Sequence, residues 1–307
     1  MRDYFQDKSE QLKTLENGKG VQYILDAAYK ILGNPLLAHD MEYKLIAYNK
    51  DAVNDDPIWN ELTTKGTVDY KRLEFYKNET FFDMVAYAEK VTFLPSERLK
   101  QDRIFGKLFT KDHIQVGCVV IHACYKPFEN SDIELIKILC DILNKELDQS
   151  EYYQNYGQTY METLVGKLIE DNLDNKMLYT AHIESIYIGL GVNIRLAVAD
   201  ISQVDPAFNQ LVYFRDLFKQ TQPSFKYVIY SNHIVILMSS DSKAFNIKQD
   251  LHELYKIFEQ NNIYAGISSR LENLFGLSRY YSEAVSALKH GLKTKGGQRI
   301  FLYDGVG

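Results

Sequence analysis

The sequence predicts an α+β protein of two domains. Three observations carry that prediction. A chain of 307 residues is about twice the length of an ordinary domain. Helical and strand periodicities alternate along it, and a polar stretch, DQSEYYQNYGQ at 148–158, interrupts them half-way.

Residues 1–20 are polar and include Gly18 and Gly20 at their end, which reads as a lead-in helix or a flexible arm. Val21, Ile24, Leu25, Ala28 and Leu32 then keep helical spacing up to Gly33-Asn34-Pro35, a stop signal. LLAHD and YKLIAYN form two short strands around Asp40-Met41-Glu42. Residues 51–84 are irregular and helical, with bulky Trp59, Leu62, Phe75, Phe81 and Phe82. Strands follow over 88–94, 102–110 and 114–125, the last two flanking Lys111-Asp112. ENSDIELIKILCDILNKELD is a helix: Ser131 and Glu134 have capping-box spacing, and Leu135, Ile138, Leu139, Ile142 and Leu143 make a wide apolar stripe. Helix, two strands, variable helices, three strands and helix is the order of a GAF- or PAS-like sensory module, here 21–148, with an antiparallel sheet.

Residues 149–158 form the joint. Met161, Leu164, Val165, Leu168 and Ile169 begin an amphipathic helix over 159–172, and a second helix is expected over 176–190. The two helices bracketing the joint either pair with a second copy of the chain or pack each on its own domain. NIRLAVADIS is a strand, 206–219 a helix and KYVIYSNHIVILMS a hairpin turning at Ser231-Asn232. A helix over 243–260, the strand IYAGISS, a helix over 277–292 and the strand RIFLYD complete the chain. This β-α-β-β-α-β order with an appended helix and strand predicts one helix-covered sheet, ferredoxin-like at its centre, within a domain over 159–305.

Composition narrows the function. A net charge of −6 argues against a general nucleic-acid binder, because phosphate neutralisation needs a basic face. The 23 tyrosines read as rigid amphipathic surface. Cys118, Cys124 and Cys140 lie in apolar surroundings without C-x-x-C spacing, as core thiols of a reduced, cytoplasmic protein do. The charged start MRDYFQDKSEQ is no signal peptide, and no apolar run approaches the roughly 18 residues of a membrane span.

No phosphate loop, dinucleotide fingerprint, zinc-protease helix or serine-nucleophile elbow occurs. The seven histidines show no zinc spacing with the cysteines, and NDD at 54–56 reads as a solvated loop. The sequence therefore implies no catalytic residue, no metal and no cofactor.

AGISSRLENLFGLSRYYSEAVSALKHG, residues 265–291, resembles the CdaR GGDEF-like segment of PucR/CdaR-type bacterial transcription regulators. The matching residues are Gly266-Ile267-Ser268-Ser269, Leu274, Leu277, Tyr281, Glu283, Ala284, Ala287, Leu288, Gly291 and the final FLYD, within a match over roughly 157–305. The N-terminal half resembles the sensor of the same family through RIFGKLF and PFENSDIELIKILCDIL. In physical terms, Gly266 stands where a central strand passes close to a neighbour. Ser268-Ser269 start a turn, and Ala284 and Ala287 give the last helix a small-residue face. The resemblance implies a small-molecule effector in the sensor domain and a homodimer. It implies that DNA is contacted only through a helix-turn-helix, which is not present in this sequence ending FLYDGVG.

In such a module the ligand sits between the sheet and the segment crossing it, here 51–84, with Trp59, Tyr76, Phe81, Phe82 and Met84. The facing strands offer Phe105, Lys107 and Phe109 on one, and Cys118 and His122 on the other. Lys107 is the side chain to meet an anionic group and His122 a hydrogen-bond partner. Taken singly, the aromatics and His122 also fit plain core, and Lys107 fits solvent. Two competing functions are a divergent nucleotide cyclase or phosphodiester-handling enzyme, and a ligand-free oligomerisation scaffold. Asp200 closes a strand where GGDEF-type cyclases hold a metal-binding carboxylate. The hairpin turn YSNHI lacks the glycines and acids of their signature, so Asp200 is expected to cap the strand end.

Overall fold

The structure is a computed structural model that describes residues 2–15, 17–68, 90–95, 101–111, 114–173, 183, 186–187, 190–202, 204, 210–240, 250–294 and 297–305. It is a mixed α+β protein with two five-stranded sheets in two compact units. One unit is formed chiefly by the chain up to Gly157 and the other chiefly by the chain from Gln158.

The first unit begins with α1 (Arg2–Lys13) and α2 (Val21–Leu32). The strands are β1 (Leu36–Asp40), β2 (Leu45–Tyr48), β3 (Val91–Leu94), β4 (Arg103–Phe109) and β5 (Gln115–His122). Helix α3 (Pro57–Lys65) lies between β2 and β3, and α4 (Asp132–Asp148) follows β5. The sheet is antiparallel in the order β2-β1-β5-β4-β3, so the first and last strands of the predicted order meet at its centre. Asp40 sets the β1–β2 turn: its carboxylate accepts from the amides of Glu42 and Lys44, both at 2.8 Å.

One face of this sheet is covered by helices. Leu36, Ala38, Ile104, Leu108, Val119 and Ile121 pack there with Ile24 and Leu25 of α2 and Leu135, Leu139 and Leu143 of α4. The helix α4 approaches so closely that a Cβ on Gly106 would stand 2.3 Å from Cys140 Sγ. Of the two readings of the N-terminal segment, the structure has the lead-in helix: α1 buries Leu12 in the same core, and the Glu146 carboxylate accepts from the Gly18 and Gly20 amides, each at 2.6 Å. The apolar stripe of α4 is thereby used within one copy of the chain, leaving Glu134, Asp141 and Lys145 exposed. Its start also differs from expectation. Ser131 already has helical backbone and makes no capping bond; Asp132 instead accepts from the Glu129 amide at 2.9 Å.

Helix α5 runs unbroken over Glu151–Ile169, so the polar stretch expected as a joint is helical from Glu151 on. Its apolar period is hidden because tyrosines and a glycine do the packing. Tyr153 and Tyr156 lean on the first core, and a Cβ on Gly157 would meet Val116 at 3.1 Å. Beyond Gln158 its apolar side chains Met161, Leu164, Val165, Leu168 and Ile169 are all buried.

The second unit contains β6 (Asn193–Asp200), α6 (Gln210–Thr221), β7 (Lys226–Tyr230), β8 (His233–Ser240), α7 (His252–Gln260), β9 (Tyr264–Arg270), α8 (Leu277–Thr294) and β10 (Ile300–Leu302). The sheet order β10-β9-β6-β8-β7 is the ferredoxin-like arrangement with β10 added parallel to β9. Phe214 and Phe218 of α6 and Leu254 and Phe258 of α7 cover one face over Ala197, Ala199, Ile234 and Ile236. Helix α8 lies on β9 and β6. The helix predicted over 176–190 lies largely outside the described residues, as do 206–209 and 243–249.

Candidate functional site

Alternation along β4 and β5 sends Ile104, Leu108, Val119 and Ile121 to the helix-covered face and leaves a different set on the other. Arg103, Phe105, Lys107 and Phe109 share that second face with their cross-strand partners His122, Val120, Cys118 and Gln115. Leu37 and His39 of β1 continue it, opposite Val120 and Cys118. The described residues of the predicted effector site thus fall on one face: Phe105, Lys107, Phe109, Cys118 and His122 from the strands, and Trp59 from α3. All six are buried, so Lys107 does not point into water. Tyr76, Phe81, Phe82 and Met84 lie outside the described residues.

The face has an apolar middle and two polar ends. In the middle Trp59, Leu62 and Val68 pack with Leu37, Phe105, Val120 and Leu94. At one end His39, Cys118 and Lys107 stand in register across three strands. The His39 ring stacks on Tyr43 at 5.2 Å, and its Nδ1 donates to the Asp40 carbonyl at 2.8 Å. Burial holds His39 below its ordinary value and pushes the Cys118 thiol up to about 11, with Lys107 pulling the thiol the other way. Gln115 belongs to this end too, its Nε2 3.5 Å from Cys118 Sγ.

The other end is built around an ion pair that sequence reading missed. Arg103 Nη2 donates to Asp56 Oδ2, with both side chains 2% exposed. Asp56 is also the N-cap of α3, its Oδ1 accepting from the Trp59 amide at 2.9 Å. The indole of Trp59 then meets the His122 ring edge-on at 5.3 Å. Burial and the Arg103 guanidinium hold His122 well below its ordinary value, so the imidazole is neutral at pH 7. The signal that could have found this set was Asp56-Pro57, a capping residue followed by a proline at the first helical position. It was read instead as part of a solvated acidic loop.

The opening of the GGDEF-like resemblance is packing and tethering. Ser268-Ser269 do not start a turn; they lie inside β9, where the register slips opposite Arg195–Ala197. The buried Ser268 hydroxyl oxygen accepts from the Leu196 amide at 3.0 Å and so repairs the ladder. Ser269 donates to Glu283 of α8 through its amide (3.0 Å) and its hydroxyl (2.6 Å), and Arg279 donates to the same carboxylate at 2.9 Å. Asp200 ends β6 with its carboxylate accepting from the Ser202 amide at 2.8 Å. The β7–β8 turn is made by Ser231 and Asn232, both left-handed (φ 49° and 63°), as a two-residue hairpin turn requires. Among the described residues no group of three His, Cys, Asp or Glu side chains is placed to hold a metal ion. No described helix is long and apolar enough to cross a membrane.

Comparison with known proteins gives one family match and two structural similarities. No curated protein matches the chain. Among solved structures it is similar to the cofactor binding GAF domain of the nutrient sensor CodY from Clostridium difficile. That similarity has 13% identity and a TM-score of 0.25, over 48% of this chain and 96% of that one. It is also similar to bacteriophytochrome RpBphP3 from the photosynthetic bacterium R. palustris, at 7% identity and a TM-score of 0.26, over 78% of this chain and 63% of that one. A family model described as a GGDEF-like domain matches residues 186–290, which contain the ferredoxin-like core from β6 to β9 and most of α8.

Proposed function

We propose that the chain is the effector-sensing part of a transcription regulator of the PucR/CdaR type. A small molecule binds the second face of the first sheet and changes the balance between two arrangements of the protein. The chain works as a homodimer in the cytoplasm and has no catalytic activity. DNA is reached only through a helix-turn-helix outside this sequence. The observation that carries this reading is the polar content of the buried face. A purely structural core has no need of Lys107, Gln115, His122 and the Arg103–Asp56 pair, each costly to desolvate. Groups of this kind in a core mark a place where local stability gives way to function.

The experiment is a thermal-shift screen of small metabolites on the whole chain, repeated with Lys107→Ala and His122→Ala. A ligand that stabilises the parent chain and binds more weakly to both variants supports the reading. A ligand indifferent to both variants, or one that maps to 157–305, sinks it.

A second reading has its own observation. Trp59, Leu62 and Val68 fill the middle of the same face, as they would in a scaffold whose pocket is closed by its own side chains. Absence of ligand-dependent stabilisation across the screen selects that reading. Nucleotide cyclisation is not favoured, because the β7–β8 turn at Ser231-Asn232 lacks the glycines and acids of the cyclase signature.

A further inference from the structure

Around the N-terminus of α3 three buried polar atoms have no hydrogen-bond partner among the described residues. They are Arg103 Nε, His122 Nδ1 and Asn54 Nδ2. The residues are 2%, 2% and 8% exposed, so bulk water does not satisfy them. They also form one connected cluster. Arg103 and His122 are directly opposed on β4 and β5. Arg103 pairs with Asp56, and the Asp56 amide donates to Asn54 Oδ1 at 3.0 Å. A buried polar group left unmatched costs about 1–3 kcal/mol. Three in one cluster are hard to reconcile with a site that only packs.

The cluster lies one layer of chain below the surface. Asp51, Val53 and Asp55 are exposed and alternate with less exposed Ala52 and buried Asn54 and Asp56. This strap is held at its edge by two contacts. The Val53 amide donates to Tyr125 Oη at 2.8 Å, and Gln101 Nε2 donates to Asp55 Oδ1 at 3.2 Å. Both holding groups are at or near the surface, whereas Asp56, at the end of the strap, anchors it in the core through Arg103.

We propose that Asn54, Arg103 and His122 form the polar end of the effector site and take a neutral carboxamide-type group rather than a carboxylate. The choice follows from charge and from donor count. Asp56 already neutralises Arg103, so a carboxylate would enter a dry, electroneutral cluster with no charge to meet it. The Arg103 Nε–H and an Asn54 Nδ2–H are donors for one carbonyl oxygen, while His122 Nδ1 can accept the amide N–H. An apolar or aromatic body next to that group would lie against the Trp59 indole. Because Trp59 and Asp56 both belong to the start of α3, a ligand held here acts directly on that helix.

This inference rests on the effector reading, and a matched pair of probes separates the two. Benzamide and benzoate have the same ring and differ in the charge of the polar group. The whole chain is titrated with each, following the Arg103 Nε–H and His122 ring signals by NMR. Benzamide is expected to shift both signals in the millimolar range and benzoate to leave them unmoved. Asn54→Ala and His122→Phe are each expected to weaken benzamide about tenfold, the loss of one such hydrogen bond. The wild-type titration stands whether or not these variants fold. Benzoate moving the Arg103 and His122 signals as strongly as benzamide overturns the inference, as does neither probe moving them, the result if only water fills the cluster. Benzoate perturbing Lys107 alone would overturn it and leave the effector reading standing. No perturbation of this face by either probe or by any metabolite removes both.

Discussion

A Cβ placed on Gly266 of β9 would stand 2.0 Å from the carbonyl oxygen of Ala284 in α8 and 2.6 Å from the Leu288 amide nitrogen. Strand and helix meet there backbone to backbone, which only a side chain of hydrogen allows. The small Ala284 and Ala287 continue the same close seat. Gly266→Ala must therefore push the helix off the sheet, and overpacking of this kind costs about 1–3 kcal/mol. A fall in the urea midpoint with an unchanged m-value is the expected result. An unchanged midpoint would show that α8 is free to shift.

The Arg103–Asp56 pair gives a second stability prediction. Removing one partner of a buried pair typically costs about 3–5 kcal/mol, because the other charge is left uncompensated. Asp56→Ala removes the pair and the α3 cap together. Asp56→Asn keeps a good capping residue and removes only the charge. Both variants are expected to lose most of that stability. If Asp56→Asn retains the wild-type denaturation midpoint, Asp56 acts as a cap and its charge contributes nothing.

Most of the fold was legible because the elements carry strong periods or strong punctuation. The run Val21–Leu32 closed by Gly33, and the strands around Ser231-Asn232, were placed within a residue or two. Legibility failed where packing uses residues that do not look apolar. Helix α5 was missed before Gln158 because its inward groups are Tyr153, Tyr156 and Gly157. Ser268-Ser269 looked like a turn because a register slip that needs a serine hydroxyl has no signature in one strand alone. At the candidate site, alternation sufficed to put Lys107 and His122 on one face. Asp56 and Arg103 are 47 residues apart in sequence, and neither lies in an apolar pattern that announces a buried ion pair.

Glu283 makes the tether between α8 and β9 dependent on pH. Burial works against its charge, but the Ser269 hydroxyl and amide and the Arg279 guanidinium outweigh that and hold the carboxyl below its ordinary value. A carboxyl depressed in the folded state stabilises the protein above its unfolded value, and this is lost as pH falls through the folded one. Wild type should therefore exceed Glu283→Gln in stability at neutral pH, with the gap closing as the pH drops below the ordinary carboxylate range. A gap that stays constant down to strongly acid pH would mean that the hydrogen bonds act without the charge.

Under the proposed function the chain is a dimer, and of the two readings of the helices bracketing the joint the fold has the one in which their stripes pack within the chain. The apolar stripes of α4 and of α5 beyond Gln158 are buried within one copy. Light scattering at tens of micromolar is expected to give twice the 35.6 kDa chain mass. Reversal of charge on the exposed side of α4, by Glu134→Lys with Lys145→Glu, is expected to leave that mass unchanged. A monomer in the wild type counts against dimerisation, and a monomer only in the charge-reversed variant returns the interface to α4.

Lys107 stands between Phe105 and Phe109 on β4 and opposite Cys118 on β5, buried on a face whose centre is apolar. If it anchors an anionic group of the effector, the ammonium contributes chiefly charge, since a lysine is a point donor on a flexible stem. Lys107→Arg then keeps part of the affinity and Lys107→Ala loses it, by tenfold or more in dissociation constant. The readout is stabilisation by ligand, which at about 100 times the dissociation constant amounts to roughly 2.7 kcal/mol for the wild type. At the same ligand concentration a tenfold weaker variant retains about half of that and is separable in a thermal scan. Equal stabilisation of wild type and Lys107→Ala at every ligand concentration would show that this lysine serves the fold alone.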